Sequence, residues 1–561
     1  MSAFLSSSGA PQARDVPQIE YDLPSTVRPW DTSIVEMEKR LDETGRRAFV
    51  RLKDSTIQRS TQATVVRADE TDSSRLVRKG VLAAISARSA DRALVALEQF
   101  GVRVLQYYDR MGMALVEVPL GAAARLVGSS FVDFLDPESI ARPHTVPFGG
   151  IRPKSAEANA AAFFAQTNPW GIDTIKAPLG WQYSVGSGAK LLVMDQGHFQ
   201  GHVDLPLVPT GNCLGQWNGC DDFYPNSHGT HVLGIAAALN NGIGVVGVAP
   251  GIGATNIWVW GACNEIGCHY ADIVAGLNWA AGNLTPRGVI NMSFGGPDGP
   301  GEATAVAAAL AADIVLVASA GNNGNNVYQY PAGYTNVVGV AGMKQDKTFP
   351  LNDNAPCSNV GDPQPGSNWG QSIDLVGPWD ARSTIANNEY AGPEAAWCGT
   401  SMAAPHVAGL AALVRAYYPT AGRWFVWDRL RSTALDLGTY SLDNYFGWGM
   451  ARHLAVGFNV PVITATIVGG KPRLTWPAVP HATRYEIWRW VTPNAPYAVL
   501  WATVTGTTYT DNSTQVTSFY GYNMFPNPST ISVSYQVAAV AENLNWAGAY
   551  ATYIANGTPP Y

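Results

Sequence analysis

Three polar residues stand where long apolar runs end or begin. Asp195 closes the run LLVMD, His228 opens HGTHVLGIAAAL, and Ser401 opens SMAAPHVAGLAALVRAYY. A serine hydroxyl becomes a nucleophile when an imidazole takes its proton, and an aspartate can fix the tautomer of that imidazole and stabilise the imidazolium that forms. The chain order Asp, His, Ser is one of three unrelated orders that build such a constellation. In this reading Ser401 attacks a carbonyl, His228 carries the proton to the leaving group, and Asp195 orients the ring. The stretch EAAWCGTSMAAPH offers a second nucleophile, Cys398, three places before Ser401. Local sequence alone does not choose between the hydroxyl and the thiol.

Such residues need a frame that brings them together. Between 165 and 455 strand-like and helix-like apolar patterns alternate, as in AKLLVMD, GTHVLGIAAAL, ATNIWVW, ADIVAGLNWAAG, GVINMSF, ATAVAAALAA and DIVLVASA. The alternation predicts an α/β fold, a doubly wound parallel sheet with helices on both faces and ligands at the carboxyl ends of its strands. From 79 to 140 the strand GVLAAISA, the helix ADRALVALEQFG, the hairpin VRVLQYYDRMGMALVEVP, the helix LGAAARLVG and the strand SFVDFLD predict a small α+β unit of ferredoxin-like order. Residues 1–78 read as a partly irregular N-terminal arm, and 141–164 as a polar, alanine-rich linker. From 459 to 558 short alternating strands, among them KPRLTWPAV, TRYEIWRW and ISVSYQVAAV, predict a β-sandwich with Trp476 and Tyr485 in its core.

Composition narrows the function. Apolar residues are 46% of the 561, which excludes wholesale disorder and leaves room for several domains. A net charge of −7 without a Lys and Arg stripe argues against a nucleic-acid partner. No apolar run approaches the ~20 residues of a membrane span. All six cysteines lie between 213 and 398, without a Cys/His partner pair at zinc spacing, which predicts disulfides and an oxidising compartment. Short-range closure favours Cys213–Cys220 and Cys263–Cys268, leaving Cys357–Cys398. The start MSAFLSSSGAPQ has too short an apolar core for a signal peptide, so secretion is expected by a removed signal or another route.

The stretches VMDQG, SHGTHVLGIAAALNNGIGVVGVAP, INMSFGGP, SAGNNG and GTSMAAPHVAG, in that order, resemble the signature blocks of the subtilisin-like serine proteases. The resemblance implies Asp195, His228 and Ser401 as the triad, and Asn322 as a donor to the oxyanion beside the nucleophile's own backbone N–H. Cys398 is left with no base, acid or donor assigned to it; a bridge to Cys357 would instead restrain the loop entering the nucleophile helix. The implied protein is a secreted serine endopeptidase, expected as a monomer, that cleaves proteins and peptides through an acyl-enzyme.

Further expectations follow from the same resemblance. Substrate would pair as an added strand with Ser293, Phe294 and Gly295. These residues and Ala318, Ser319, Ala320 and Gly321 would wall the primary pocket. Uncharged Asn323 and Gln329 near its floor favour large apolar or aromatic side chains before the cut. Tyr270 and Phe294 would line a second apolar pocket, or simply pack in the core. A structural calcium ion, which prefers hard oxygen ligands, would draw on Gln166, Asp204, Leu239, Asn241, Ile243 and Val245. AQTNPWGIDTIKAP resembles a mature start, so the α+β unit would be a prodomain, a folding assistant and intramolecular inhibitor cut between 142 and 164, with Phe164 a fitting residue before the cut. The C-terminal strands resemble a fibronectin type III module. Gln196 departs from the Ser or Thr usual after the aspartate, whose hydroxyl can bond the carboxylate; a Gln amide could do so from a longer reach.

Overall fold

A computed structural model describes residues 40–41, 47–52, 94, 97–108, 110–119, 121–129, 132–143, 165–215, 227–264, 266–351, 366–391, 397–439 and 442–457. In the C-terminal region it describes 464–478, 484–492, 499–513, 518–520, 532–540 and 553–556.

Strands buried on both faces read as unbroken apolar runs, because neither face meets water. Six such strands of four to six residues and one two-residue partner form a seven-stranded sheet. They are β6 (Leu191–Asp195), β7 (Cys213–Leu214), β8 (Ile257–Gly261), β10 (Val289–Met292), β12 (Val315–Ser319), β13 (Val338–Met343) and β14 (Leu375–Pro378). Their order is β14-β13-β12-β10-β6-β8-β7, and every pairing is parallel. The chain runs outward from β6 to β7 and β8, then crosses back to β10. The topological switch therefore lies beside β6, where open α/β sheets bind ligands at strand carboxyl ends. β13 and β14 were not among the strands expected from sequence.

Alternate residues of β6 enter opposite layers. Leu191 and Val193 join the core that contains α2 (His228–Ala237) and α5 (Thr400–Tyr417). Leu192 and Met194 join the core of α3 (Tyr270–Asn283) and α4 (Pro300–Ala311). α2 and α5 carry the histidine and the serine, and they approach closely because their contact is built from small residues. A Cβ on Gly409 of α5 would lie 2.6 Å from Val248 Cβ and 3.2 Å from the Ala236 carbonyl.

Ahead of this sheet stands a four-stranded antiparallel sheet of β1 (Arg47–Leu52), β2 (Arg103–Tyr108), β3 (Met113–Glu117) and β4 (Val132–Pro137), in the order β2-β3-β1-β4, with α1 (Ala123–Val127) between β3 and β4. Its hairpin, second helix and last strand match the sequence pattern. The strand at β1, however, comes from the segment read as part of the arm, and the expected opening strand GVLAAISA lies outside the described residues. Ala48 and Val50 of β1 face their own small core with Leu97 and Leu126, while Phe49 between them packs with the core of α3 and α4.

The C-terminal region forms a β-sandwich. A three-stranded sheet (464–468, 471–475, 508–510) accompanies a five-stranded one (499–504, 484–492, 532–540, 553–556, 518–520), with antiparallel pairing throughout. Trp476 and Tyr485 lie in its core with their rings 5.4 Å apart.

Substituting Gly409→Ala should lower the free energy of unfolding by about 1–3 kcal/mol, the usual cost of forcing a methyl into a packed interface. A urea midpoint unchanged from wild type would refute this account of the packing of α5 at Gly409 against Val248 and α2.

Candidate active site

Asp195 ends β6 at the switch point, and His228 begins α2. His228 Nδ1 and Asp195 Oδ1 are 2.7 Å apart, in a site where both side chains are buried. The same Asp195 oxygen accepts the backbone N–H of Gln196 at 2.8 Å. The residue after the aspartate thus bonds it through its main chain, while the Gln196 side-chain oxygen is buried without a partner. His228 Nε2 is likewise buried without a hydrogen-bond partner.

Ser401 is the second residue of the 18-residue α5. Its backbone N–H therefore belongs to the first turn, where N–H groups have no intrahelical acceptor and the helix dipole favours negative charge. The hydroxyl donates to the Ser293 carbonyl at 2.8 Å, and the Ser293 hydroxyl donates back to the Ser401 carbonyl at 2.9 Å. That carbonyl is open to Ser293 because its helical partner would be the N–H of residue 405, and Pro405 has none. Asn291 Nδ2 donates to the Ser293 hydroxyl at 3.0 Å and completes the link to β10.

Asn322, just beyond β12, reaches the same helix start. Its Oδ1 accepts the backbone N–H and the hydroxyl of Thr400, each at 2.9 Å, while Thr400 Oγ1 accepts the Gly321 N–H at 3.0 Å. A backbone N–H can only donate, so the end of Asn322 facing Thr400 is the oxygen, which turns Nδ2 the other way. Sequence reading did not single out Thr400, nor Asn368. The Asn368 Nδ2 donates to the carbonyls of Ala320 and Val327, and its Oδ1 accepts from Asn323 N, so it braces the loop after β12.

Two further features come from distant sequence. His231 lies one turn along α2 from His228, and nothing local separates the two. Its ring stacks on Trp397 at 4.9 Å and its Nε2 contacts the Ala381 carbonyl, while burial holds it neutral, its pKa lowered to about 3. Trp397 precedes Cys398, which is disulfide-bonded, as is Cys213; Cys357 and Cys220, expected as their partners, lie outside the described residues. Cys263 and Cys268 are bonded to each other.

The expected substrate edge is already paired. β5 (Ile140–Pro143) lies between β11 (Phe294–Gly295) and β9 (Cys268–His269), with Pro143 opposite Phe294, Arg142 opposite Gly295, Ala141 opposite Cys268 and Ile140 opposite His269. Tyr270 and Phe294 are fully buried in one cluster with Ala141. Ala318 and Ser319 end β12, Ala320 N donates to the Val340 carbonyl at 2.9 Å, and Gln329 and exposed Asn323 follow on the bracing loop. Phe164 lies outside the described residues.

The residues expected around calcium also converge. Gln166 Oε1 accepts from Gly242 N at 2.8 Å, Asn241 Oδ1 accepts from Ile243 N at 3.1 Å, and Leu239 N donates to the Asp204 carbonyl. Ile243 and Val245 bridge Ala165 and Thr167. Asp204 Oδ2 accepts from Val245 N at 2.8 Å, but its Oδ1 is buried without a partner. No group of three or more His, Cys, Asp or Glu suited to a metal occurs among the described residues.

Residues 186–449 match the family described as Subtilase family (Peptidase_S8). The chain is 37% identical to Subtilisin NAT of Bacillus subtilis subsp. natto over 303 residues, 52% of this chain and 72% of the relative. It is 38% identical to Subtilisin DY of Bacillus licheniformis over 295 residues, 51% of this chain and 97% of the relative. Alkaline elastase YaB of Bacillus sp. (strain YaB) is 34% identical over 324 residues, 57% and 76% of the two chains.

Burial raises the Asp204 carboxyl from 3.8 to about 7. Between those values the folded protein keeps a proton that the unfolded chain has released, so stability falls as pH rises through that interval. In EDTA, Asp204→Asn should lose part of the decline in Tm that wild type shows between pH 4 and 7. Identical declines in calorimetry would assign the effect to other buried carboxyls, such as Asp374, also raised to about 7.

Proposed function

The chain belongs to the subtilase family and is a serine-type endopeptidase, and on that premise we propose that Ser401, His228, Asp195 and Asn322 perform its chemistry on an extended peptide lying along Ser293, Phe294 and Gly295. One observation carries the reading. The chain's own extended segment at β5 pairs with Phe294 and Gly295, next to the Ser293 carbonyl on which the Ser401 hydroxyl rests.

In the reaction the Ser401 hydroxyl turns from Ser293 to His228 Nε2, the unpartnered ring nitrogen, and gives up its proton as its oxygen adds to the peptide carbonyl. Asp195 holds Nδ1 and stabilises the imidazolium. The negative oxygen lies between the Ser401 backbone N–H and Asn322 Nδ2, at the positive end of α5. Nε2 then protonates the leaving amine as the C–N bond breaks. Water repeats the sequence on the acyl-enzyme and releases the acid. Gln196 supports Asp195 through its main chain. The uncharged Asn323 and Gln329 favour large apolar or aromatic residues before the cut.

The sheet of β1 to β4 is a ferredoxin-like prodomain and intramolecular inhibitor, with β5 as its tail in the cleft. Several contacts support this. Gly301 N at the start of α4 donates to Asp136 Oδ2 at 2.9 Å, and Ala271 N at the start of α3 donates to Glu138 Oε1 at 3.3 Å. Both carboxylates sit where helix dipoles favour them. Processing falls between 142 and 164, ahead of the catalytic domain from 165 to 455, and a fibronectin type III-like module covers 459–558. Calcium fits at the loop bearing Asn241. Among the described residues Asp204 Oδ1 has no hydrogen-bond partner, and a calcium ion held with Gln166, Leu239, Asn241, Ile243 and Val245 would give it one. The Cys263–Cys268 disulfide supports secretion into an oxidising compartment.

Ser401→Ala should abolish casein hydrolysis, and Asn322→Ala should lower kcat about 10²- to 10³-fold with KM little changed. Activity surviving Ser401→Ala but lost on thiol alkylation would move the nucleophile to a cysteine. Mass spectrometry of the wild-type chain incubated with calcium should find a new N-terminus between 142 and 165, absent from Ser401→Ala. An intact Met1 in wild type would refute self-processing.

A further inference from the structure

The short hairpin after β8 joins two parts of the site that sequence keeps apart. Along one arm, the backbone N–H groups of Ala262 and Cys263 donate to the Asp195 carbonyl at 2.8 and 3.2 Å. Along the other arm, Cys268 and His269 pair with Ala141 and Ile140 of β5. The Cys263–Cys268 disulfide ties the arms together. Also joining the arms are His269 N on the Ala262 carbonyl at 3.0 Å, Asn264 N on the Gly267 carbonyl at 2.9 Å, Asn264 Nδ2 on His269 Nε2 at 3.0 Å, and turn bonds from Ile266 and Gly267 to Asn264 Oδ1.

These bonds are non-covalent, and the disulfide is the covalent link that sets the two-residue edge strand against the arm bonded to Asp195. Both cysteines are fully buried, in the cluster that contains Ala141, Tyr270 and Phe294. The cross-link therefore backs the pocket into which Ala141 fits. Gly267 shows how close the approach is. At its φ of 153°, a Cβ would lie 2.6 Å from the Ala141 carbonyl oxygen and 2.6 Å from Ile140 Cγ2.

We propose that the Cys263–Cys268 disulfide is a specificity-determining element of the cleft, fixing the edge against which the remote acyl-side residues of a substrate pair; this rests on the proposed cleft. In the observed register the residue of a bound peptide after the one at Pro143 faces Ser293, and the residue opposite Cys268 is three further back. Only substrates with about four or more acyl-side residues reach the hairpin, and backbone pairing there is worth about one hydrogen bond or more. A disulfide that merely stabilised a loop would act without regard to substrate length.

The test compares wild type and Cys263→Ala/Cys268→Ala, as full chains whose N-terminal segment has been released, on a tetrapeptide p-nitroanilide and on an N-acetylated single-residue ester. Losing the pairing edge should lower kcat/KM for the tetrapeptide about tenfold, mainly through KM, and leave the ester within about twofold. Equal losses on both substrates, or none on either, would overturn the proposal while leaving the peptidase reading intact. Wild type inert toward both would overturn the peptidase reading, and this one with it. If the double variant does not accumulate, Gly267→Ala, which keeps the disulfide, should give the same length dependence; a length-independent result there also overturns the proposal.

Discussion

Two hydrogen bonds exchanged between Ser293 and Ser401 tie the start of the nucleophile helix to the end of β10, and the rest of the site is arranged around that link. Pro405 has no N–H to offer the Ser401 carbonyl, which leaves that carbonyl to the Ser293 hydroxyl. Ser293 also begins the edge along which β5 pairs, so nucleophile and extended segment share one reference point. His228 and Asn322 reach it from elements beside the same switch in strand order, and Asp195 from β6 itself. Rigid strand ends therefore set the positions, and the helix is adjusted to them by hydrogen bonds from Asn291, Asn322 and Thr400.

A second constraint is the way the N-terminal sheet meets the helices. β1 divides its side chains between two cores, and the docked face brings Asp136 and Glu138 to two helix starts. Favourable dipoles are offset by the loss of water. Burial pushes Asp136 up to about 7, against the pull of the Gly301 N–H and Arg40, and pushes nearby Glu302 of α4 up to about 8. Each is protonated more readily in the folded chain than in the unfolded one, so on these groups alone stability is greater at mildly acidic pH and falls as pH rises through 7 and 8.

Much of this was legible because burial leaves a local trace. LLVM and IWVW read as strands, since both faces are covered and every position is apolar. The triad stood out because its members end or begin such runs. β13 and β14 were missed; VGVAGM and LVGP contain glycine, which has low strand propensity, and their pairing in the sheet decides them more than propensity does. RAFVRL carries three apolar residues in a row between two arginines, so only its place between β3 and β4 identifies it. β5 becomes a strand only because two edges clasp it.

The sequence by itself determined the layers, the family and the residue types of the reaction, because apolar period and short motifs are local properties of the chain. Tertiary structure decided which atoms meet. It chose the main chain of Gln196 over its side chain to hold Asp195, separated His228 from a neutral His231 stacked on Trp397, and brought Asn368 and Thr400 to the loop of Asn322. Apart from Gln196 and Asp195, which are neighbours, those partners lie tens of residues or more apart, and a donor finds its acceptor across such a distance only after packing has excluded water and fixed both backbones.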